Sequence, residues 1–341
     1  MKMRMKNQKI MGLLAFLLVL ATLLVITPVV VQAATERSST GSFTLNATPS
    51  VSGVDFQDDS YVTDTALDPA TVWQRLNFTV SSSAGMSDIK NVTIWIFDDS
   101  THGADYNTTA VDGIFIAEFL WVEATDTWSV SDQGSMTEWA VDNANSDDPG
   151  SASSDTSFEF SMRFNISQVA RADTTDWNAT VHVYDDDTTP EVGYASETGL
   201  VTMNNYFGIT ISAATFSWGS AVQPNSINST HGTLSITVYA NAQWELRISA
   251  SNFTASAETD ITPETNDIII WDEDGSAGGT SQWVRNTTAT LPTGSTWDNQ
   301  AAMSDENGLN RNVYILLNPG SLFTVGKQWS VIITIYVQAN V

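Results

Sequence analysis

Two adjacent segments, residues 233–239 and 243–249, alternate between apolar and polar side chains. Their apolar positions are Leu234, Ile236 and Val238 in the first segment and Trp244, Leu246 and Ile248 in the second. A period of two is typical of a β-strand that buries one face, and the short Ala-Asn-Ala break between the segments predicts a turn. We therefore expect an antiparallel hairpin here, with one face in a hydrophobic core.

The same alternation predicts a first domain at 50–203. Its expected strands are 75–80, 91–97, 113–122, 127–130, 158–164, 179–184 and a last one at 199–205 that leads into a short joint. Residues 167–172 fit a single helical turn, and no helical pattern of about 10–15 residues separates the strands. About seven strands with polar connections predict an antiparallel, immunoglobulin-like β-sandwich.

A second domain is expected at 206–341. Besides the hairpin, its predicted strands are 206–211, 267–271, 312–317 and 329–337. In the last of these, Val331, Ile333, Ile335 and Val337 share one face, and the strand is a candidate for the edge of its sheet. The predicted fold is all-β, with two tandem antiparallel β-sandwich domains, immunoglobulin-like or jelly-roll-like, after an N-terminal signal or anchor helix.

The N-terminal segment has the composition of an export signal. Residues 1–9 are basic, residues 10–31 are almost wholly apolar, and Val31 and Ala33 supply the small residues of a signal peptidase site. The apolar run is also long enough to span a bilayer. We expect 1–33 to be a signal peptide or a membrane anchor and 34–49 to be a tether with a first strand. The remainder is then extracellular or on the cell surface.

Charge is unevenly distributed along the chain. The sequence holds 39 acidic and 13 basic residues, and its formal net charge is −26. Four basic residues lie within the first nine positions, and every acidic residue lies after position 33. Such a negative field repels nucleic acid and anionic membrane surfaces. Membrane contact is therefore expected only through 10–31, if this segment stays uncleaved. An acidic surface also suits a saline or hot exterior.

Acidic pairs and triplets mark several predicted loops. The carboxylates that follow apolar strands are Asp98, Asp99, Asp185, Asp186 and Asp187. Ca²⁺ takes six to eight oxygen ligands, so these five residues would form a calcium site if their loops met in space. No EF-hand spacing is present, and a solvated turn accounts better for any single cluster.

Nine Asn-X-Ser/Thr sequons occur in the sequence. The preferred acceptors for N-linked glycans are Asn77, Asn91, Asn107, Asn165, Asn178, Asn228 and Asn286. Four of them, Asn77, Asn91, Asn165 and Asn178, lie on the polar phase of their strands, which predicts that they face outward. Solubility alone would favour the same residues at outward positions.

Catalysis has little basis in the sequence. There is no cysteine, which excludes disulfides, thiol catalysis and thiolate zinc sites. The three histidines, His102, His182 and His231, lie in no metal-binding motif, and no nucleophile elbow or phosphate loop is present. A carboxylate pair for glycoside hydrolysis is compatible with any chain this acidic and carries no information. We predict that the protein is not an enzyme.

The sequence contains 12 tryptophans. Exposed tryptophans could stack on sugars, whereas tryptophans in β-domains more often pack in the core or across strands. Sugar binding and core packing both remain possible roles for these tryptophans at this point.

Two stretches carry a resemblance to known families. Residues 88–98, 119–130 and 169–177 resemble immunoglobulin-like domains of archaeal cell-surface proteins. This resemblance implies a sandwich outside the cell, an archaeal source and no catalytic residues. Residues 239–246, with Trp244-Glu-Leu246, are similar to the Trp-x-Leu surface domains of Gram-positive bacteria, which attach to peptidoglycan. Here the tripeptide lies in mid-domain, and the next proline is Pro263.

The sequence thus predicts a non-enzymatic structural or adhesive component of a cell surface or extracellular appendage. It would act by self-assembly or by binding other surface proteins through strand edges and acidic loops, with calcium as the one candidate cofactor. The alternative is a secreted carbohydrate- or glycoprotein-binding module.

Overall fold

The computed structural model describes residues 48–70, 72–102, 111–150, 154–172, 176–186, 192–196, 201–212, 215–219, 222, 232–263, 267–275, 281–291 and 294–340. The predicted signal or anchor helix at 1–33 lies outside these ranges. Within them, no helix has the length and apolarity that a bilayer crossing requires. Residues 46–341 form one compact unit.

The first half of this unit contains two sheets. Its strands are β1 (Ser50–Asp58), β2 (Ala66–Leu67), β3 (Trp73–Ser81), β4 (Ile89–Asp98), β5 (Ile116–Val122), β6 (Thr127–Asp132), β7 (Ala140–Val141), β8 (Ser157–Asn165), β9 (Asp176–Asp185), β10 (Val192–Ser196) and β11 (Val201–Met203). One sheet has the order β1-β3-β8-β7, and the other has the order β2-β11-β9-β4-β5-β6, with β10 also paired to β9. Among these pairings, only β11 with β2 is parallel. A single-turn helix, α1 (Asp99–His102), follows β4.

One aromatic core lies between these two sheets. Phe78 of β3 stacks on Phe160 of β8 with ring centroids 5.1 Å apart, and Trp121 of β5 meets Phe160 edge-on at 5.3 Å. The alternating positions Leu76, Phe78 and Val80 are at most 1% exposed. Bulky rings from both sheets fill the space between them, which confirms the predicted sandwich. At 167–172 the chain makes a hydrogen-bonded turn, in which Ala170 N–H donates to Ser167 O.

The second half contains two further sheets around a separate core. Its strands are β12 (Phe207–Ile211), β13 (Gly232–Ala240), β14 (Trp244–Ala250), β15 (Ile269–Asp272), β16 (Gln282–Val284), β17 (Ala289–Thr290), β18 (Leu309–Leu317) and β19 (Ile333–Ala339). The sheet orders are β12-β13-β18-β15-β16 and β17-β14-β19. All pairings in these two sheets are antiparallel. The fold is all-β, as predicted.

The hairpin predicted for 233–249 is wrong. β13 belongs to the five-stranded sheet, whereas β14 belongs to the three-stranded sheet. The Ala-Asn-Ala segment carries the chain across the core from one sheet to the other. The two strands bury their apolar sides in one core from opposite sheets, which needs the same alternation as a hairpin.

Asn241, in the middle of this crossing, connects the two halves of the unit. It is completely buried, and its Nδ2 donates to Ala170 O at 2.8 Å and to Asn204 O at 3.1 Å. Its Oδ1 accepts from Tyr206 N–H at 2.7 Å. One side chain therefore satisfies backbone groups of both halves and of the joint between them.

A second connection is made by Glu306. Its carboxylate accepts hydrogen bonds from the backbone N–H of Thr137 at 2.7 Å and of Glu138 at 2.8 Å. It also accepts from the hydroxyls of Thr137 at 2.9 Å and Ser167 at 3.1 Å. Charge-assisted bonds of this kind are among the stronger ones in proteins, so they hold the two sandwiches together.

Candidate interaction edge

β19 is an edge strand, because it pairs with β14 and with no other strand in the described ranges. Two backbone hydrogen bonds at the ends of the pairing show which residues of β19 bond to β14. Ser251 N–H donates to Ile332 O, and Asn340 N–H donates to Gln243 O. Bonding alternates along an antiparallel strand, so the even-numbered residues of β19 bond toward β14. The N–H and C=O groups of the odd-numbered residues point to the outer edge.

The apolar core is incompletely covered along this edge. Trp244, Leu246 and Ile248 of β14 have no exposed surface, whereas Ile333 and Val337 of β19 are only half-buried. Directly before the strand, Ile332 is 70% exposed, and in the preceding loop Val325 is 87% exposed and Leu322 is 48% exposed. This end of the second sandwich therefore presents apolar side chains together with free backbone groups.

Charged residues are missing from the two edge strands on this side of the sandwich. β12 is the edge of the opposite sheet and lies next to β19 without pairing with it. It comes from a run, 198–244, that has no Asp, Glu, Lys or Arg, and β19 comes from a second such run, 328–341. We call the pair of strands the β12/β19 edge. The sequence identified β19 as a candidate edge strand, and a scan for charge-free runs would have added β12.

The described carboxylates of the predicted calcium site, which are those of Asp98, Asp99, Asp185 and Asp186, do not come together. β4 and β9 are antiparallel neighbours, with Asp98 opposite Trp177 and Asp185 opposite Ile89. Each strand ends in aspartate, and the strands run in opposite directions. Asp98 and Asp185 therefore lie at opposite ends of the strand pair, roughly 25 Å apart at about 3.3 Å per residue. The condition for that site, that the two loops meet in space, is therefore not fulfilled by Asp98 and Asp185.

Each of these aspartates has its own local setting. Asp98 is buried and accepts from the N–H and the hydroxyl of Ser100, both at 2.9 Å. Asp99 is half-buried in α1, Asp185 is buried and Asp186 is exposed, while Asp187 lies outside the described residues. Within those residues, no group of three or more histidine or acidic side chains is arranged to hold a metal.

The predicted glycosylation sites differ in how far their asparagine side chains are exposed. Asn286 is exposed, Asn91, Asn165 and Asn178 are half-buried, and Asn107 and Asn228 lie outside the described residues. Asn77 is only 6% exposed, and its Nδ2 donates to Gln57 Oε1 at 2.7 Å. The expectation of an outward Asn77 is wrong, because β1 covers that position with a hydrogen-bonding side chain.

None of the 12 tryptophans, all of which lie in described ranges, is fully exposed. Eight are buried, and five of these have no exposed surface. Most of the tryptophans therefore pack in the interior. Among the aromatic residues that the structure describes, Tyr194 on β10 is instead the most exposed, with 70% of its surface accessible.

Tyr194 belongs to an aromatic row on the outer face of the large sheet. Its ring lies 5.5 Å from His182, and His182 lies 5.0 Å from Trp95. Trp95 Nε1–H donates to Glu118 Oε2 at 2.8 Å, and Ser131 donates to Glu118 Oε1 at 2.7 Å. Burial lowers the pKa of His182, so its ring is neutral at pH 7. The row runs from the exposed ring of Tyr194 on β10, across β9 and β4, to the hydrogen-bonded carboxylate of Glu118 on β5.

Burial raises the pKa of several acidic side chains. Burial raises the pKa of Asp148 to about 6, and its hydrogen bond with Asp126 and the charges of Asp126 and Asp147 act in the same direction. At the joint, burial raises the pKa of Glu138, and the charge of Glu306 adds to this. Glu138 accepts a hydrogen bond from Gln168 N–H at 3.0 Å, which fits a structural role.

No protein-family model and no curated protein matches this sequence. Solved structures do match, and one of them is the crystal structure of a two-domain protein of unknown function from Bacteroides fragilis. It is 8% identical, the alignment covers 85% of this chain and 94% of that chain, and the TM-score is 0.16.

Proposed function

We propose that the protein is a non-enzymatic structural or adhesive component of a cell surface or extracellular appendage, and that it assembles through the β12/β19 edge. The observation that carries this proposal is the combination of free backbone groups, half-buried core residues and absent charge on β19. Exposed edge strands pair with strands of other chains unless charge, proline or a bulge prevents it. Strand addition is a common mode of protein assembly.

The charge of the chain supports a second copy as the partner. Copies with a net charge of −26 repel one another over most of their surface. Contact between them costs least where neither copy contributes an acidic side chain. The charge-free strands of the β12/β19 edge provide such a place, and each copy offers the same apolar side chains to the other.

Association of residues 46–341, the compact unit that holds both cores, tests this proposal. Thr334 is exposed on β19, so Thr334→Asp places charge on the edge without disturbing the core. The matched control is Thr233→Asp, which adds the same charge at an exposed position of the internal strand β13. Light scattering should show concentration-dependent growth for the parent and the control, and at least about tenfold weaker association for Thr334→Asp. A parent chain that stays monomeric at all concentrations would sink the proposal.

Export is the second part of the proposal. It is supported by the basic and apolar segments at 1–31 and by the small residues before position 34. N-terminal sequencing of the protein recovered from outside the cell would give Ala34 after cleavage. The intact N-terminus in the membrane fraction would instead indicate an anchor, and protein found only in the cytoplasm would contradict export.

Carbohydrate binding is a second candidate, which the aromatic row favours. Exposed tyrosine rings stack on sugar faces, and a carboxylate such as Glu118 accepts bonds from sugar hydroxyls. Titration with neutral oligosaccharides should change the tryptophan fluorescence through Trp95, and Tyr194→Ala should abolish this change. The matched control is Tyr61→Ala, because Tyr61 is 51% exposed and lies outside the row.

A further inference from the structure

We propose that two copies pair through β19 in one register, antiparallel and centred on Tyr336. This rests on the proposed assembly and specifies its partner and geometry. The result would be a continuous six-stranded sheet with the order β17-β14-β19-β19-β14-β17 across a two-fold axis. An interface of this kind is isologous, because each copy contributes the same surface.

The outward backbone groups determine which residues can bond. The N–H and C=O groups that point away from β14 belong to Ile333, Ile335, Val337 and Ala339. In an antiparallel pair these odd residues must face odd residues of the partner strand. A shift by one residue would place bonded groups opposite unbonded ones and turn the apolar face of one strand to solvent.

The length of the strand selects one register among those that remain. β19 spans Ile333–Ala339, so full overlap sets Ile333 opposite Ala339 and Ile335 opposite Val337. On the other face, Thr334 lies opposite Gln338 and Tyr336 lies opposite its own counterpart. Shifting the strands by two residues would lose bonded pairs at both ends and expose more of the core.

The side chains of β19 leave room for this pairing. The Tyr336 hydroxyl donates to Thr288 Oγ1 at 2.5 Å, beside β17, so the ring leans over β14 and away from the outer edge. Gln338 also turns toward β14, where its Nε2 donates to Glu245 Oε1 at 3.0 Å. On the opposite face, Ile335 and Val337 would continue the core across the contact.

Cysteine cross-linking tests the register directly, because the sequence contains no cysteine. Residue 336 would form an unbonded pair with its counterpart, with Cα atoms about 4.5 Å apart. Tyr336→Cys should therefore give a disulfide-linked dimer on mild oxidation. Thr334→Cys is the matched control, since two copies of residue 334 would lie about 13 Å apart, too far for a disulfide.

A second test leaves Tyr336 and its hydrogen bond intact. Thr334→Cys protein and Gln338→Cys protein should cross-link when mixed, and neither should cross-link alone. Efficient cross-linking of Thr334→Cys alone, or none in the mixture while the parent still associates, would overturn the register and leave the proposed assembly standing. A parent that does not associate would overturn both.

Discussion

The edges of the two sandwiches differ in how they are protected. In the first sandwich, β1 has a bulge between Ser52 and Asp55, and it contains Gly53 with φ of 64° and two aspartates. β2 and β7, at other edges, have two residues each, and β6 ends in Asp132. In the second sandwich, β12 and β19 have five and seven residues and no charge.

The strands β1, β2, β6 and β7 carry features that hinder pairing with another chain, whereas β12 and β19 do not. Bulges, short strands and charges prevent an edge from pairing with another chain. In the first sandwich β1, β2, β6 and β7 each carry at least one of these devices, whereas β10, with five residues and no charge, carries none of them. The β12/β19 edge lacks them in both of its strands, and this is the basis of the assembly proposed above.

The largest effect on stability is expected from removing the side chain of Asn241, which connects the two sandwiches. Asn241→Ala would remove this partner from Ala170 O, which is buried, and from Asn204 O and Tyr206 N–H at the joint. Each such group costs about 1 kcal/mol or more, so the variant should lose about 3 kcal/mol of unfolding free energy. Calorimetry should then show a lower or divided thermal transition.

The control for this variant is Asn310→Ala, at an exposed position of β18, which should change stability by less than about 0.5 kcal/mol. An unchanged transition in Asn241→Ala would show that the joint is not held by this side chain. Edge association should survive in both variants, because neither Asn241 nor Asn310 belongs to β12 or β19.

A smaller effect is expected from removing the protection of β1. Deleting Gly53 would remove the extra residue of the bulge, and Asp55→Thr would remove a charge from the same strand. The combined variant should associate more strongly than the parent, by about threefold to tenfold, since a regular edge would become available. Sedimentation measures this change, and Thr334→Asp in the same background isolates the new contact.

Asp55→Thr alone serves as the control, because it retains the bulge. If the combined variant associates no more than this control, bulges do not protect the edges here. The contrast between the two sandwiches would then lose its functional meaning.

The smallest effect concerns the acidic loop of the first sandwich. The pKa of Asp148 is raised from 3.8 to about 6, so the folded state binds this proton more tightly than the unfolded state. The contribution of Asp148 to stability is therefore fully present below about pH 4 and is lost as the pH rises through about 6. Asp148→Asn should remove on the order of 1 kcal/mol of this loss, because solvent screens a half-buried carboxylate.

Thermal midpoints between pH 4 and pH 7 measure this prediction. The parent midpoint should fall relative to that of Asp148→Asn as the pH rises, and parallel curves would contradict it. Asp186→Asn, at an exposed position, provides the control.

The sequence alone determined the class of fold and the faces of its strands. Alternation identified Leu76, Phe78 and Val80, and likewise Trp244, Leu246 and Ile248, as core residues, and all six are buried. It also identified the last strand as a candidate edge. These properties follow from a local rule, since neighbouring side chains of a strand point to opposite faces.

Only the tertiary structure decided which strands are neighbours. Alternation is the same whether β14 pairs beside β13 or faces it across a core, so the hairpin could not be distinguished from a crossing between sheets. The distance between Asp98 and Asp185 likewise depends on the antiparallel order of β4 and β9, and the covering of Asn77 depends on β1. Sheet membership and the proximity of loops arise from long-range pairing, which a period of two does not encode.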